Sequence, residues 1–126
     1  KMKNVISTDK APAAIGPYSQ AMILNGVLFT SGQIPVNPAT GEINGDTIET
    51  QAEQVMKNMK NLLEAAGTSI DQVVKTSVFI KNMDDFATIN GIYAKYFEKD
   101  CPARSCVEIA RLPKDVLLEM EAIAVK

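Results

Sequence analysis

The chain has 126 residues, of which 46% are hydrophobic, and its formal net charge is −2. This length fits one compact domain over 1–126 with its own core, and the near-neutral charge gives no electrostatic footprint for nucleic acid or an anionic membrane. The chain contains no histidine, which excludes a Ser-His-Asp triad, a Cys-His pair and nearly all catalytic zinc sites.

The two cysteines, Cys101 and Cys106, have the spacing of neither a metal knuckle nor a disulfide framework. We therefore expect free thiols in a reducing compartment. No apolar run reaches the roughly 18 residues that a membrane span requires, and the polar segment 1–10 lacks the pattern of a signal peptide. These features predict a cytoplasmic protein that does not associate with a membrane.

The first predicted element is a hairpin. Two short apolar runs, Gln20–Leu24 and Val27–Ser31, flank the dipeptide Asn25-Gly26, which is the strongest short-range signal for a hairpin turn. The following segment, Gly32 to Asp46, is rich in proline and glycine and predicts a loop.

A helix is predicted after the loop. Asp46 to Glu49 resembles a capping box, and Gly67 is placed as the C-terminal cap. Between them, apolar residues recur at three- and four-residue steps and form one face: Ile48, Ala52, Val55, Met59, Leu62 and Ala66.

Val73–Lys81 is β-branched and aromatic, which predicts a strand. Both of its faces carry apolar groups, with Val74, Val78 and Ile80 on one and Val73 and Phe79 on the other. Each face should therefore be covered.

A second helix is predicted from about Asp84 to Glu98. Its inward side chains should be Phe86, Ile89, Tyr93 and either Tyr96 or Phe97.

The chain ends in two further strands, Arg104–Ala110 and Leu117–Val125, which by length and composition predict a β-hairpin. The resulting fold class is α+β, with two helices on one face of a mixed sheet. Since two helices cover only one face, the apolar second face predicts an oligomer.

Within the predicted hairpin, alternation places Arg104 and Cys106 on one face. If the apolar sets of both strands face the helices, Glu119 and Glu121 lie on the same side as Arg104. The pattern is compatible with a solvated polar face holding weak surface ion pairs. A register slip of one residue would move all these groups to the core side.

The alternative is a binding site for a small acid. An arginine offers a planar fork of donors to a carboxylate, and Glu119, or less favourably Glu121, would hold a water or transfer a proton. Cys106 reads as a small hydrophobic residue, because no histidine is available to activate it. Tyr18 follows a rigid Gly-Pro turn and could stack over a flat ligand, and Gly32 permits close approach to the backbone.

Four stretches of the chain resemble the reactive intermediate deaminase family, also called the YjgF family, and within it the RidA type. They cover nearly the whole chain in one order: APAAIGPYSQ at 11–20, TSGQIPVNPATGE at 30–42, VVKTSVFIKNMDDFATIN at 73–90 and PARSCVEIARLPKDVLLEMEAIAV at 102–125. The combination of PARSCVE, ARLPKD and IGPYSQ is the most specific part.

The resemblance implies a fold similar to that of chorismate mutase, in which a six-stranded mixed sheet carries two helices on one side. It also implies a homotrimeric barrel with three clefts between subunits, and a short first strand near Lys3–Ser7. Arg104 would enter each cleft from one subunit, and some of the other groups would come from its neighbour.

The implied activity is hydrolysis of 2-imino acids and their enamine tautomers, such as 2-aminoacrylate and 2-iminobutanoate, to 2-oxo acids and ammonia, without a metal or cofactor. Carried over residue by residue, the catalytic groups are Arg104, which binds the carboxylate, and Glu119, which holds the water. The resemblance assigns substrate contacts to Tyr18, Ser31, Gly32, Asn90 and Cys106, and none to Cys101.

Two other functions stay open at the level of the sequence. The same clefts could bind a metabolite for regulation without turnover, because a fold alone does not fix a function. An endoribonuclease or translation inhibitor, as ascribed to some relatives, fits the composition less well, because contacts to phosphate need clustered lysine or arginine.

Overall fold

The computed structural model describes residues 2–126, so Lys1 of the predicted 1–126 domain lies outside the described residues. Within 2–126 the chain forms eight strands and two α-helices, joined by short 3-10 turns. In chain order they are β1 Asn4–Ile6, β2 Ala21–Leu24, β3 Val27–Thr30, β4 Val36–Asn37, β5 Glu42–Ile43, α1 Ile48–Ala65, β6 Val73–Ile80, α2 Phe86–Tyr96, β7 Ala103–Glu108 and β8 Leu118–Val125.

Six of the strands form one mixed sheet in the order β1-β2-β3-β8-β6-β7, and β4 and β5 pair separately inside the segment predicted as a loop. The predicted α+β class, the six-stranded mixed sheet, the two helices and the short first strand are confirmed. The hairpin around Asn25-Gly26 is confirmed too, with Asn25 and Gly26 both at positive φ.

The predicted C-terminal hairpin is wrong. Strand β6 lies between β7 and β8, parallel to β7 and antiparallel to β8. Backbone bonds from Ile109 N to Ile80 O (2.9 Å) and from Lys81 N to Leu117 O (3.0 Å) continue both pairings beyond the strands. Two apolar runs joined by a turn have the same composition whether they pair directly or flank a third strand, so the pattern could not separate the two cases.

Helix α1 follows its sequence signals closely. Thr47, one residue after the expected Asp46, is the N-cap, and its Oγ1 accepts from Thr50 N at 3.2 Å. Helix α1 ends before Gly67, which has φ 82°. The Gly67 N–H donates to Glu64 O and the Thr68 N–H donates to Leu63 O, which is the hydrogen-bond pattern of a Schellman motif. All six residues of the predicted apolar face are buried.

The core lies between the helices and one face of the sheet. Alternate residues of β6 and β8, including Val78 and Met120, face α1 and α2, and Ile89 and Tyr93 of α2 pack against them. The register of β6 is irregular between Val73 and Lys75, so the prediction that Val74 shares the face of Val78 is wrong. Val73 is buried in the core, whereas Val74 is exposed.

The opposite face of the sheet, called the uncovered face below, carries apolar side chains open to solvent. Paired positions point to the same side of a sheet, and the registers place Val5, Phe29 and Val107 together there with exposures of 61%, 45% and 46%. Leu24 and Val125 extend this apolar set. Neither helix in residues 2–126 combines the length and apolar character that crossing a bilayer demands.

Candidate functional site

Arg104 lies on β7, a strand at the edge of the sheet, and its side chain turns towards α2. Its Nη1 donates to Asn90 Oδ1 at 2.8 Å, and its guanidinium carbon lies 4.8 Å from the centre of the Tyr93 ring and 5.4 Å from that of Phe86. Within residues 2–126 no carboxylate lies within 4.0 Å of it. The guanidinium is therefore half-buried and held in place, and its other donors are available to an anion.

The sequence reasoning missed the two rings that hold Arg104. Phe86, Asn90 and Tyr93 recur at steps of four and three residues, which places them on one side of a helix. The sequence analysis assigns Phe86 and Tyr93 to the core and gives their rings no other role. Tyr93 is indeed buried, and its hydroxyl shares a 2.8 Å hydrogen bond with Thr76, but its ring also faces the arginine.

Cys106 lies two residues beyond Arg104 on the same face of β7 and is partly buried. Burial raises the pKa of the Cys106 thiol above its ordinary value, and the positive charge of Arg104 opposes this only in part. A raised pKa disfavours the thiolate, so Cys106 is not activated as a nucleophile, and its part in a substrate contact stays a prediction. Cys101 is exposed, and its Sγ donates to Phe97 O at 3.3 Å.

Glu119 lies on the uncovered face, so the expectation that it shares a face with Arg104 is wrong. The register pairs Thr76 with both Arg104 and Ala122, which puts Arg104 on the helix side, whereas Glu119 pairs with Phe79 on the other side. Glu121 follows on the same side as Glu119. The error came from assuming that Val107 and Ile109 face the core, although Val107 is largely exposed.

The Glu119 carboxylate is half-buried, and burial raises its pKa above the ordinary value, with a further increase from the negative charge of Glu121. It packs directly against Gly32. A Cβ added at Gly32 would collide with Glu119 Oε2 and would lie 2.7 Å from Cδ. Close approach is thus the reason for a glycine at position 32.

Ser31 and Tyr18 border Gly32. The Ser31 hydroxyl donates to Ser19 O at 2.6 Å, and Ser31 N donates to Gln20 O at 2.9 Å, which fastens the segment around Tyr18 to the end of β3. The Tyr18 side chain is 52% exposed, and its hydroxyl accepts from Ile15 N at 3.3 Å. Its own hydroxyl proton is free to donate.

The predicted residues thus form two groups in one chain. We call Arg104, Asn90 and Cys106, with the two rings, the arginine half-site, and Glu119, Gly32, Ser31 and Tyr18 the glutamate half-site. Glu119 and Arg104 point to opposite faces of the sheet and are separated by β6. A single chain does not bring them together. Residues 2–126 contain no group of three or more His, Cys, Asp or Glu side chains suited to a metal ion.

Comparisons with known proteins identify relatives over nearly the full length. The family model described as Endoribonuclease L-PSP matches residues 8–126. An Escherichia coli K12 protein named 2-iminobutanoate/2-iminopropanoate deaminase is 53% identical over 128 residues, with 99% of each chain covered. The RutC family protein PM1466 of Pasteurella multocida is 55% identical, also with 99% coverage of each. Among solved structures, the Rid family protein YyfA of Yersinia pestis superposes with a TM-score of 0.97 at 51% identity and covers 99% of this chain and 100% of its own.

Gly32→Ala is expected to displace the Glu119 carboxylate and lower the free energy of unfolding by about 1 kcal/mol, because the group that must move is the end of a flexible side chain. In a Glu119→Ala background the added methyl meets no carboxylate, so most of this cost should disappear. A double-mutant cycle from denaturant unfolding at one protein concentration measures the coupling, which should exceed about 0.5 kcal/mol. Strictly additive effects would show that the two residues do not press on one another.

Proposed function

Because the chain belongs to the reactive intermediate deaminase family, also called the YjgF or RidA family, we propose that it hydrolyses 2-imino acids to 2-oxo acids and ammonia. The observation that carries the proposal is the Arg104 guanidinium, which is preorganised and unpaired within residues 2–126. The deaminase name of the Escherichia coli relative supports the choice of an imino acid as substrate.

Arg104 binds the substrate carboxylate. The guanidinium is fixed by Asn90 and flanked by two rings, so little side-chain freedom is lost when an anion binds. Because Arg104 forms no ion pair within residues 2–126, the substrate carboxylate does not have to displace a carboxylate of the protein. Two parallel N–H···O bonds would fix the direction of the C=N bond relative to the arginine.

The reaction needs only water and a group that accepts and returns a proton. Water adds to the imine carbon, and the Glu119 carboxylate accepts a proton from the attacking water. With the imine protonated, this step leaves a neutral adduct that carries a hydroxyl and an NH2 group. Glu119 returns its proton to that nitrogen, the C–N bond breaks as the hydroxyl gives its proton to the Glu119 carboxylate, and ammonia leaves behind a C=O group. An imine carbon is already electrophilic, so orientation and fixed charge supply most of the acceleration.

The two half-sites must meet across a subunit boundary in this proposal. Strand β7 leaves one edge of the sheet open beside Arg104, and the uncovered face around Glu119 bears a broad apolar set. Both features favour association with further copies of the chain. We therefore place each cleft of a homotrimer between Arg104 of one copy and Glu119 of the next.

The family description also contains the word endoribonuclease. The described site offers a single guanidinium flanked by aromatic rings, whereas an RNA backbone needs several neighbouring cations. This geometry favours a small acid. A regulatory protein that binds such an acid without turnover is distinguished from an enzyme by the assay below.

Arg104→Ala is expected to lower kcat/KM for imine hydrolysis at least about a hundredfold, because the carboxylate loses its partner in a preorganised site. The imino acid is generated by an amino-acid dehydratase in the presence of semicarbazide, and the fraction of imine captured is measured. An enzyme lowers the captured fraction, whereas a passive binder leaves it unchanged.

The matched control is Arg111→Ala, since Arg111 is exposed and, among residues 2–126, forms its ion pair with Asp115 at 2.7 Å. This variant should keep near-normal activity. Hydrolysis by Arg104→Ala at the level of Arg111→Ala would refute the role of Arg104. Unchanged semicarbazide capture with the unmodified protein would refute turnover itself.

Co-expression of Arg104→Ala and Glu119→Gln chains is expected to restore activity that neither variant has alone. A cleft is intact when one copy supplies Arg104 and its neighbour supplies Glu119, which random head-to-tail assembly achieves in about a quarter of clefts. Specific activity is measured on purified mixed assemblies. No recovery in assemblies shown by mass spectrometry to contain both chains would contradict a shared cleft.

The pH dependence of kcat/KM should show an acidic limb centred above the ordinary glutamate pKa of about 4.3, because burial raises the pKa of Glu119 and only its carboxylate accepts the proton. Glu121→Gln removes the second cause of the raised pKa, so the limb should move to lower pH. Glu49→Gln, in the first turn of α1, is the control. A limb at the same pH in all three proteins would exclude Glu119 as the titrating group.

A further inference from the structure

Thr76 is a polar residue in an otherwise apolar layer of the sheet. It lies on the helix side of β6 and is 0% exposed. Its neighbours on that side of β6 and β8 are apolar and buried: Val78, Ile80, Leu118, Met120, Ala122 and Ala124. A hydroxyl buried in such a layer is unfavourable unless it has a hydrogen-bond partner. The partner of Thr76 is therefore the reason that a threonine can stand there.

That partner is the hydroxyl of Tyr93 in α2, at a distance of 2.8 Å. Tyr93 is 8% exposed, so its phenol also needs a partner inside the protein. In the described part of the chain, neither hydroxyl has another hydrogen-bond partner. The two groups therefore satisfy each other, and their bond joins the sheet to α2 at one defined point.

The Tyr93 ring extends this connection to Arg104. The centre of the ring lies 4.8 Å from the guanidinium carbon of Arg104 and 4.5 Å from the centre of the Phe97 ring. On the neighbouring strand, Arg104 is itself the residue paired with Thr76. The three residues therefore form a closed arrangement, in which Tyr93 is bonded to one member of the strand pair and stacked on the other.

The two hydroxyls are not needed for packing. A valine side chain has nearly the shape of threonine, and a phenylalanine ring would offer the same face to the guanidinium. What the hydroxyls add is a bond with a preferred direction, since a hydrogen bond weakens as its angle departs from linearity. The bond between Thr76 and Tyr93 therefore restricts the tilt of the ring against Arg104.

We propose that Thr76 is a positioning residue for Arg104: through the Tyr93 hydroxyl it fixes the ring on which the guanidinium rests, and thereby the direction of the donors that meet the substrate carboxylate. Thr76 is fully buried, so its influence on a substrate passes through Tyr93. The kinetic part of this inference rests on the proposed function, whereas the orientation of the guanidinium can be measured without any substrate.

Nuclear magnetic resonance of the arginine side chains measures that orientation. Arg104 and Arg111 are the two arginines of the sequence, so an isotope-labelled protein gives two Nε–H signals, which Arg104→Ala assigns. The ring current of Tyr93 shifts the signal of a group stacked on the ring. We expect Thr76→Val to move the Arg104 signal towards its position in Tyr93→Leu, which has no ring. The signal of Arg111, which pairs with Asp115, should stay in place as an internal control.

The kinetic expectation is a rise in KM for imine hydrolysis of about threefold to tenfold in Thr76→Val, because a guanidinium that is no longer held must be ordered when the carboxylate binds. The value of kcat should stay within about twofold, since the carboxylate keeps its charge throughout the reaction and is bound similarly in the ground and transition states. Tyr93→Phe and the double variant Thr76→Val/Tyr93→Phe should show the same rise, because all three proteins lack the same bond.

Two variants separate positioning from stability. The double variant removes both hydroxyls and leaves no buried group unpaired, so its stability should be close to that of the unmodified protein while its KM stays raised. Thr76→Ser keeps the hydroxyl but loses a buried methyl group, so it should be less stable while its KM and its Arg104 signal stay normal. Thr68→Val, which removes a hydroxyl bond to Val125 O outside the arginine half-site, is the control and should change neither readout.

An Arg104 signal that stays in place in both Thr76→Val and the double variant would overturn the proposal. A KM that follows stability, normal in the double variant and raised in Thr76→Ser, would reduce Thr76 to a packing residue and would overturn it as well. If the unmodified protein hydrolyses no imine, the proposed function is refuted, and the Arg104 signal still decides whether Thr76 positions the guanidinium.

Discussion

The alternation of side chains across the sheet is the constraint on which the rest of this molecule depends. Strand β6 sits between β7 and β8, and its register fixes Arg104 on the helix side and Glu119 on the uncovered side. No rotamer change moves a side chain through a sheet, because successive residues point to opposite faces. One chain therefore holds the guanidinium and the carboxylate of the proposed site on opposite faces, where it cannot bring them together.

Contacts on the helix side of the sheet explain how the Arg104 guanidinium is held in place without an ion pair. A half-buried guanidinium usually finds a carboxylate in its own chain, since an unpaired buried charge is costly. Here an amide oxygen from Asn90 and the π faces of two rings provide weaker compensation. This support orients the group without neutralising it. A full ion pair would instead have neutralised the charge that the proposed substrate carboxylate requires.

Features that depend on contacts between neighbouring residues could be predicted from the sequence, whereas features that depend on contacts between distant segments could not. The pattern in α1, Thr47 to Gly67, follows from turn-to-turn contacts and was predicted almost to the residue. The order of the strands depends on which distant strands β6 pairs with. The sequence of β7 and β8, two apolar segments joined by a turn, does not show that β6 lies between them. The resemblance names the site residues as a set, which stays a prediction, but the common face expected for Arg104 and Glu119 rested on the assumption that Val107 and Ile109 face the core.

The uncovered face bears both on the proposed association of subunits and on the pKa of Glu119. Glu119 lies on the face that carries Phe29, Val107 and the other exposed apolar groups. Covering these groups is favourable because it removes apolar area from water, and it also removes water from around Glu119. Burial already raises the pKa of this carboxyl in the single chain. Further burial acts in the same direction, and a carboxylate with a higher pKa accepts a proton from water more readily at neutral pH. In the assembly that we propose, burial by the apolar residues would raise the pKa of Glu119 and the guanidinium of the neighbouring copy would lower it, so both influences on this carboxyl depend on association.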